Sequence, residues 1–281
     1  MDTATTDGSL KDKVVLITGA SRGVGAACAL ALARAGAHLA LAAKTVDPHP
    51  RLPGTLGEVA AGVRALGREA IILPTDVRDE AQVEEMVAAT ARHFGRLDAL
   101  INNAGAIFLA PVAEWPTKRF DLVVGVNVRA AFLASRAAIP HLRERGGHVL
   151  MMSPPVNFKA APGKAPYLTS KIGMTLLAAA IDAEEPDIAA HALWPVTAIQ
   201  TAATEVFGLG TPETWRTPEI LADATVSLLR RDPRSSTFKA WLDEEVLALD
   251  GVTDLSRYNV VPDTTPPPLS VTMVDPDWTS R

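Results

Sequence analysis

Short runs of consecutive apolar residues alternate along this chain with longer stretches in which apolar and polar positions recur at helical spacing. The runs are Val14 to Thr18, Leu39 to Ala43, Ala70 to Leu73, Ala99 to Ile101, His148 to Met152 and Ala189 to Trp194. Runs this short and unbroken read as strands buried on both faces, and strands separated by helices pair in parallel. The Ala- and Leu-rich stretches between them predict helices near 24–35, 55–66, 79–93, 115–138, 166–182 and 217–230, and Phe238 to Leu242 predicts a last strand. The pattern is that of an α/β fold: a single domain with a doubly wound parallel sheet of about seven strands and helices on both faces.

Two stretches break the rhythm. Residues 44–55, with Pro48, Pro50, Pro53 and Gly54, form an unusually long strand-to-helix connection, expected to be a surface loop beside the ligand end of the sheet. Beyond the last strand the chain contains Pro266-Pro267-Pro268 and reads as extended, expected to pack on a partner subunit or to close over the site. The division expected is a flexible N-terminus over 1–10, the domain over 11–245 and a C-terminal extension over 246–281.

Composition narrows the function classes. With 281 residues and 48% hydrophobic content there is enough apolar surface for one large core, and a formal charge of −5 leaves no basic footprint for nucleic acid. Cys28, the single cysteine, sits among Ala27, Ala29 and Leu30 and reads as a small buried residue rather than a reactive thiol. The N-terminus lacks the cationic start and apolar run of a secretory signal, and no uninterrupted apolar stretch reaches transmembrane length, so a cytoplasmic location is expected. The six histidines are scattered without metal-ligand spacing, and no metal site is expected.

The chemistry concentrates in a few places. Gly19, Ser21, Arg22, Gly23, Val24 and Gly25 follow the first strand and open a helix, the context in which glycines let a pyrophosphate approach backbone N–H groups. The bland alternative is a turn that merely happens to be glycine-rich. At the end of the second strand stands Ala42-Ala43-Lys44-Thr45, with no acid to hold the ribose hydroxyls of NAD; Arg22 and Lys44 are available for a 2′-phosphate. NADP(H) is therefore favoured, with NAD(H) possible, although Lys44 reads equally well as a solvated charge. Tyr167 and Lys171 lie four residues apart on a predicted helix, where the ammonium faces the phenol and is expected to lower its pKa. That pairing is the chemistry of a carbonyl reductase or alcohol dehydrogenase.

Taken together, these motifs resemble the short-chain dehydrogenase/reductase family over roughly residues 10–245. The resemblance implies a Rossmann fold. Its glycine turn corresponds to Gly19, Gly23 and Gly25, its adenine-contacting acid to Asp76 followed by Val77, and its Asn-Asn-Ala-Gly element to Asn102, Asn103, Ala104 and Gly105. Its catalytic Asn, Ser, Tyr and Lys correspond to Asn127, Ser153, Tyr167 and Lys171. The stretches Ala43-Lys44-Thr45 with Pro48-His49-Pro50, Pro116 to Arg119, Ser153-Pro154-Pro155 and Ala192 to Pro195 resemble the hydroxysteroid-dehydrogenase-like subgroup. That subgroup often carries a sterol-carrier domain, for which too little chain is expected to remain after the last strand.

One departure stands out: where the family usually has Pro-Gly after the sixth strand, this chain has Pro195-Val196, followed by Thr197 and Thr201, either of which is expected at the nicotinamide end. By the resemblance, Ser153 holds a substrate carbonyl, Tyr167 moves a proton, Lys171 binds the nicotinamide ribose and Asn127 anchors a water. The small-molecule carbonyl or alcohol substrate is expected to be apolar, from Val156, Phe158 and Phe207 near the pocket mouth, with residues 197–216 as a lid. The resemblance further implies that the helices over 115–138 and 166–182 form a homodimer or homotetramer interface. The competing reading is a non-catalytic sensor or scaffold that binds NADP(H) and reports through a partner.

Overall fold

The computed structural model describes residues 8–44, 46, 53–155 and 161–269. Its strands are β1 (Val14–Thr18), β2 (His38–Ala43), β3 (Ala70–Pro74), β4 (Ala99–Asn102), β5 (Gly147–Met152), β6 (Ile188–Trp194), β7 (Ala198–Ile199), β8 (Trp215–Arg216) and β9 (Ala240–Leu242). Its helices are α1 (Gly23–Arg34), α2 (Leu56–Ala65), α3 (Glu80–Phe94), α4 (Thr117–Val124), α5 (Ala130–Arg143), α6 (Ala165–Glu184), α7 (Ala202–Val206), α8 (Glu219–Leu229) and α9 (Asp243–Leu249). Seven strands form one all-parallel sheet in the order β3-β2-β1-β4-β5-β6-β9, and β7 and β8 pair separately. This is the doubly wound Rossmann arrangement expected from the sequence, with the strand order reversing direction between β1 and β4.

The period-2 geometry of each strand divides the core. In β1, Val15 and Ile17 enter the cluster formed with α1, α2, α8 and α9, while Val14 and Leu16 enter the one formed with α3, α5 and α6. Local signals fix the helix ends: Thr55 and Glu58 make a reciprocal capping box at α2, and Asp79 caps α3, which stops at Gly95 in the left-handed conformation.

Several expectations are corrected. The helix expected over 115–138 runs from Thr117 to Arg143 and is interrupted by one π-helical turn, Gly125–Arg129. At 27 residues, with a mean hydropathy of 1.5 in its most apolar window, this run is by length and composition apolar enough to cross a membrane, although charged residues such as Arg129 and Arg136 interrupt it. Its apolar side is spent on the core through Val123, Ala130, Leu133, Ala134, Ala138 and Leu142, and Arg136 on its outer side pairs with Glu80 and Glu84. Within the segment expected to be flexible, Leu10 is buried and its N–H donates to Ala35 O at 2.8 Å.

The boundary at 245 falls inside α9, whose Val246 and Leu247 join the same core as Tyr258. The described part of the extension thus packs on the chain's own domain: Thr217 N–H donates to Tyr258 O, and Asn259 and Pro268 bridge to Arg216 and Thr197. Thr45, Pro48, His49, Pro50, Val156, Phe158 and residues 270–281 lie outside the described residues.

Candidate active site

The C-terminal ends of β1, β4, β5 and β6 meet along one edge of the sheet, where an open α/β fold binds ligands. At β1 the chain turns through Gly19 to Gly25 into α1. Gly25 packs against the turn itself: a Cβ there would lie 2.4 Å from Gly19 O and 2.5 Å from Asn103 Nδ2. Gly23 has φ +53°, and the nearest neighbour of a Cβ there would be Thr201 Cγ2 at 3.5 Å, so the turn faces Thr201 across an open cradle. No side chain caps α1 and its first turn carries no acid, which leaves helix-start N–H groups for an anion. Ser21 is buried beside the turn, and Val24 packs on the core.

Asn103 braces this turn. Its Nδ2 donates to Thr18 O at 2.9 Å and Gly19 O at 3.1 Å, and the N–H groups of Asn103 and Ala104 both donate to Thr18 Oγ1 at 3.1 Å. The carboxamide is thereby committed to backbone, which makes it the strut that holds the glycine turn against β4.

At the end of β2, Lys44 Nζ donates to Asp76 Oδ2 at 3.1 Å, and Arg78 grips the same carboxylate with two bonds of 3.0 and 2.7 Å. Arg78 holds the Asp76 carboxyl well below the usual carboxylate range, with Lys44 adding to the effect. Val77 is buried behind it. Arg22 donates through Nη2 to Gly54 O at 3.3 Å, while its buried Nη1 has no hydrogen-bond partner. Of the two cations singled out in the sequence, Arg22 thus keeps an unmet donor and Lys44 is already paired.

Asn127 and Lys171 meet at Gly105. A Cβ on Gly105 would lie 3.6 Å from both Asn127 Oδ1 and Lys171 Nζ. Asn127, fully buried in the π-helical turn, accepts from Ala106 N–H at 2.7 Å and donates to Ala106 O at 3.0 Å and Ser170 Oγ at 2.8 Å. Ser170 Oγ in turn donates to Tyr167 O at 2.7 Å. Ser153 closes β5: its N–H donates to Leu193 O, and its Oγ donates to Lys171 O at 3.0 Å. Pro166 sits in the first turn of α6, where a missing N–H is harmless, and places Tyr167 and Lys171 on one face.

The electrostatics differ from the sequence expectation. Burial pushes the Tyr167 phenol up to about 12 and the Lys171 ammonium down to about 8. Lys171 does not offset the rise at Tyr167, because its Nζ donates to Met152 O at 2.9 Å and is held by the backbone of β5.

Pro195 to Thr201 completes the cleft. The segment leaves β6 beside Ser153 and ends with Thr201 against Gly23, so it spans the length of the cleft. Thr197 is 1% exposed and its Oγ1 has no partner; Thr201 caps α7 by accepting from Thr204 N–H. Sequence reasoning missed Asp243, a fully buried carboxylate that accepts from Val196 N–H at 3.0 Å. Its setting among Glu244 and Glu245 reads as solvated acid, and only its place directly after the last strand could have drawn notice.

The open helix start, the cradle at Gly23 and the unmet donors of Arg22 and Thr197 together fit an elongated dinucleotide with phosphates at its centre. No group of three or more His, Cys, Asp or Glu that could hold a metal occurs among the described residues.

The geometry agrees with what known proteins share with this chain. A sequence profile described as short chain dehydrogenase matches residues 13–206. Hydroxysteroid dehydrogenase-like protein 2 of Xenopus tropicalis is 42% identical over 260 residues, covering 91% of this chain and 62% of the relative, so the chain spans about three-fifths of the length of that relative. A solved short chain dehydrogenase from Mycobacterium thermoresistibile is 40% identical with a TM-score of 0.84, covering 91% of this chain and 93% of that one. An alcohol dehydrogenase from the archaeon Thermococcus sibiricus, solved in complex with 5-hydroxy-NADP, is 27% identical with a TM-score of 0.73, covering 83% and 96%.

Proposed function

This chain belongs to the short-chain dehydrogenase family, and from that premise we propose that it interconverts a carbonyl and a secondary alcohol with NADP(H) as the preferred dinucleotide. The observation that supports the reading is that Asn127 and Lys171 meet at Gly105 and Ser153 bonds to the Lys171 backbone, with Tyr167 one helical turn before Lys171 on α6 and the glycine turn and the Pro195–Thr201 segment nearby.

A bound nicotinamide supplies the hydride. Toward a carbonyl substrate, Ser153 Oγ turns from Lys171 O to donate to the substrate oxygen, and the Tyr167 hydroxyl delivers the proton. Two donors then meet the negative charge that develops on that oxygen. A phenol whose pKa is about 12 holds its proton firmly at neutral pH, which suits the acid role in reduction. Lys171 brings a positive charge that burial has brought within reach of physiological pH. Both Nδ2 hydrogens of Asn127 are spent on Ala106 O and Ser170, which fixes the helix that carries Tyr167; an acceptor lone pair of Oδ1 is left for a water.

Three features support the finer points. The absence of an acid at the end of β2 and the unmet Arg22 Nη1 favour a 2′-phosphate, and the T. sibiricus enzyme was solved with an NADP analogue. The exposed Val206 and Phe207 of the α7 region favour an apolar substrate. Exposed Phe120, Phe132 and Leu176, on α4, α5 and α6, favour a homo-oligomer formed through those helices.

The test is consumption of NADPH and NADH with a panel of aliphatic, aromatic and steroid carbonyls, wild type beside Tyr167→Phe. Expected is turnover that prefers NADPH and falls roughly a hundredfold or more in the variant, with cofactor binding retained. Turnover that survives in Tyr167→Phe overturns the mechanism, and cofactor binding without turnover in wild type favours the sensor reading.

A further inference from the structure

Both backbone groups of Val196 are bonded by residues from the C-terminal part of the chain. Its N–H donates to Asp243 Oδ1 at 3.0 Å, and its C=O accepts from Leu269 N–H at 2.5 Å. The following residue, Thr197, forms an antiparallel bridge to Pro268 and keeps a buried hydroxyl without a partner.

Asp243 is an expensive residue for this place. It is 0% exposed, its Oδ1 accepts from Glu244 N–H at 2.8 Å as well as from Val196, and its Oδ2 is buried with no partner. Arg216 of β8 lies nearby, but its Nη1 bonds Glu244 and its buried Nε makes no hydrogen bond, so it leaves Asp243 Oδ2 unmet. A buried carboxylate with one oxygen unmet is a worse filler than an apolar side chain of the same size, so packing does not account for it. What it does hold is the segment that runs from Ser153 to the glycine turn.

We propose that Asp243 is a positioning residue for the dinucleotide: with Leu269 it clamps the Val196 peptide and so sets the Thr197 hydroxyl at the nicotinamide end of the cleft. The inference rests on the dinucleotide reading of the site given above. The clamp acts at one end only. The adenine end is proposed to be built by Arg22, Lys44, Asp76 and the glycine turn, whereas the hydrogen bonds of Asp243 go to Val196 and Glu244.

The experiment measures binding to the whole chain by fluorescence titration. The ligands are whichever of NADPH and NADH binds more tightly, and the ADP-ribose fragment of that same cofactor, which lacks nicotinamide. Asp243→Leu is expected to weaken the whole cofactor by about tenfold and leave the fragment within about twofold of wild type. Asp243→Asn retains a carbonyl oxygen for Val196 N–H and is expected to restore most of the affinity.

Leu269→Pro removes the second donor by removing an N–H, far from Asp243 in sequence, and is expected to act in the same direction; it serves if Asp243→Leu does not fold. Equal weakening of cofactor and fragment, or unchanged cofactor binding in both Asp243→Leu and Leu269→Pro, overturns the clamp while the dinucleotide reading stands. A wild-type chain that binds neither cofactor overturns both.

Discussion

His191 is the group from which acid should dismantle the edge of the sheet. It lies on β6, 3% exposed, and its ring is committed at both nitrogens: Nδ1 accepts from Lys239 N–H at 3.2 Å, so Nε2 carries the proton and donates to Ser236 Oγ at 2.8 Å. Protonating Nδ1 sets two N–H groups head to head just before β9. Burial accordingly lowers the ring from 6.5 to about 4.

A histidine depressed in this way takes up its proton on unfolding. Stability is therefore intact above pH 6.5 and is lost as pH falls from there toward 4. Weighting the two pKa values at pH 5 gives a loss of about 2 kcal/mol, out of a total of roughly 5–15 kcal/mol for a folded chain. The assay is thermal melting of wild type and His191→Asn at pH 7 and pH 5. The asparagine keeps an acceptor for Lys239 and does not titrate. His148, on the neighbouring strand and also lowered to about 4, titrates in both proteins and largely cancels in the comparison. Wild type is expected to lose roughly 4 °C more than the variant between the two pH values. Equal losses refute the reasoning.

Arg22→Ala should weaken NADPH binding by roughly tenfold to a hundredfold and NADH binding little, as loss of a charge-assisted bond to phosphate implies, while Lys44→Ala, whose ammonium is already paired with Asp76, should do much less; paired titrations with the two cofactors decide it. Gly25→Ala forces a methyl onto Gly19 O and the Asn103 amide and is expected to cost about 1–3 kcal/mol of stability, seen as a lower melting temperature, together with loss of cofactor binding. Phe132→Glu, on the exposed side of α5, is expected to reduce the mass measured by light scattering toward that of a monomer, with an unchanged circular dichroism spectrum.

Most of the sheet was legible because its central strands are continuous apolar runs bounded by turn residues: β1 falls on its expected limits and β2 to β6 within a residue or so. The candidate site residues stand out in the sequence because their chemistry comes in short local motifs. What escaped depends on contacts distant in sequence. The pairing of Lys44 with Asp76, the commitment of Lys171 to Met152 and the burial of Asp243 each require the folded sheet, and nothing in the neighbouring residues announces them. The two-residue strands β7 and β8 are too short to carry a period, and α9 opens with three acids that read as surface.

The π-helical turn at Gly125–Arg129 amounts to one residue more than an α-helix would use over that span. An added residue advances the helix by about 100° of phase. The run from Thr117 to Arg143 is thus one rod with two azimuths. Its first part, α4, turns toward α6 and its second, α5, toward α3, and the seam between them is where Asn127 faces Ala106. A single wheel drawn through all 27 residues averages two stripes into one broad band. Drawn separately on either side of Asn127, the two stripes show one continuous helix serving as a joint between two neighbours.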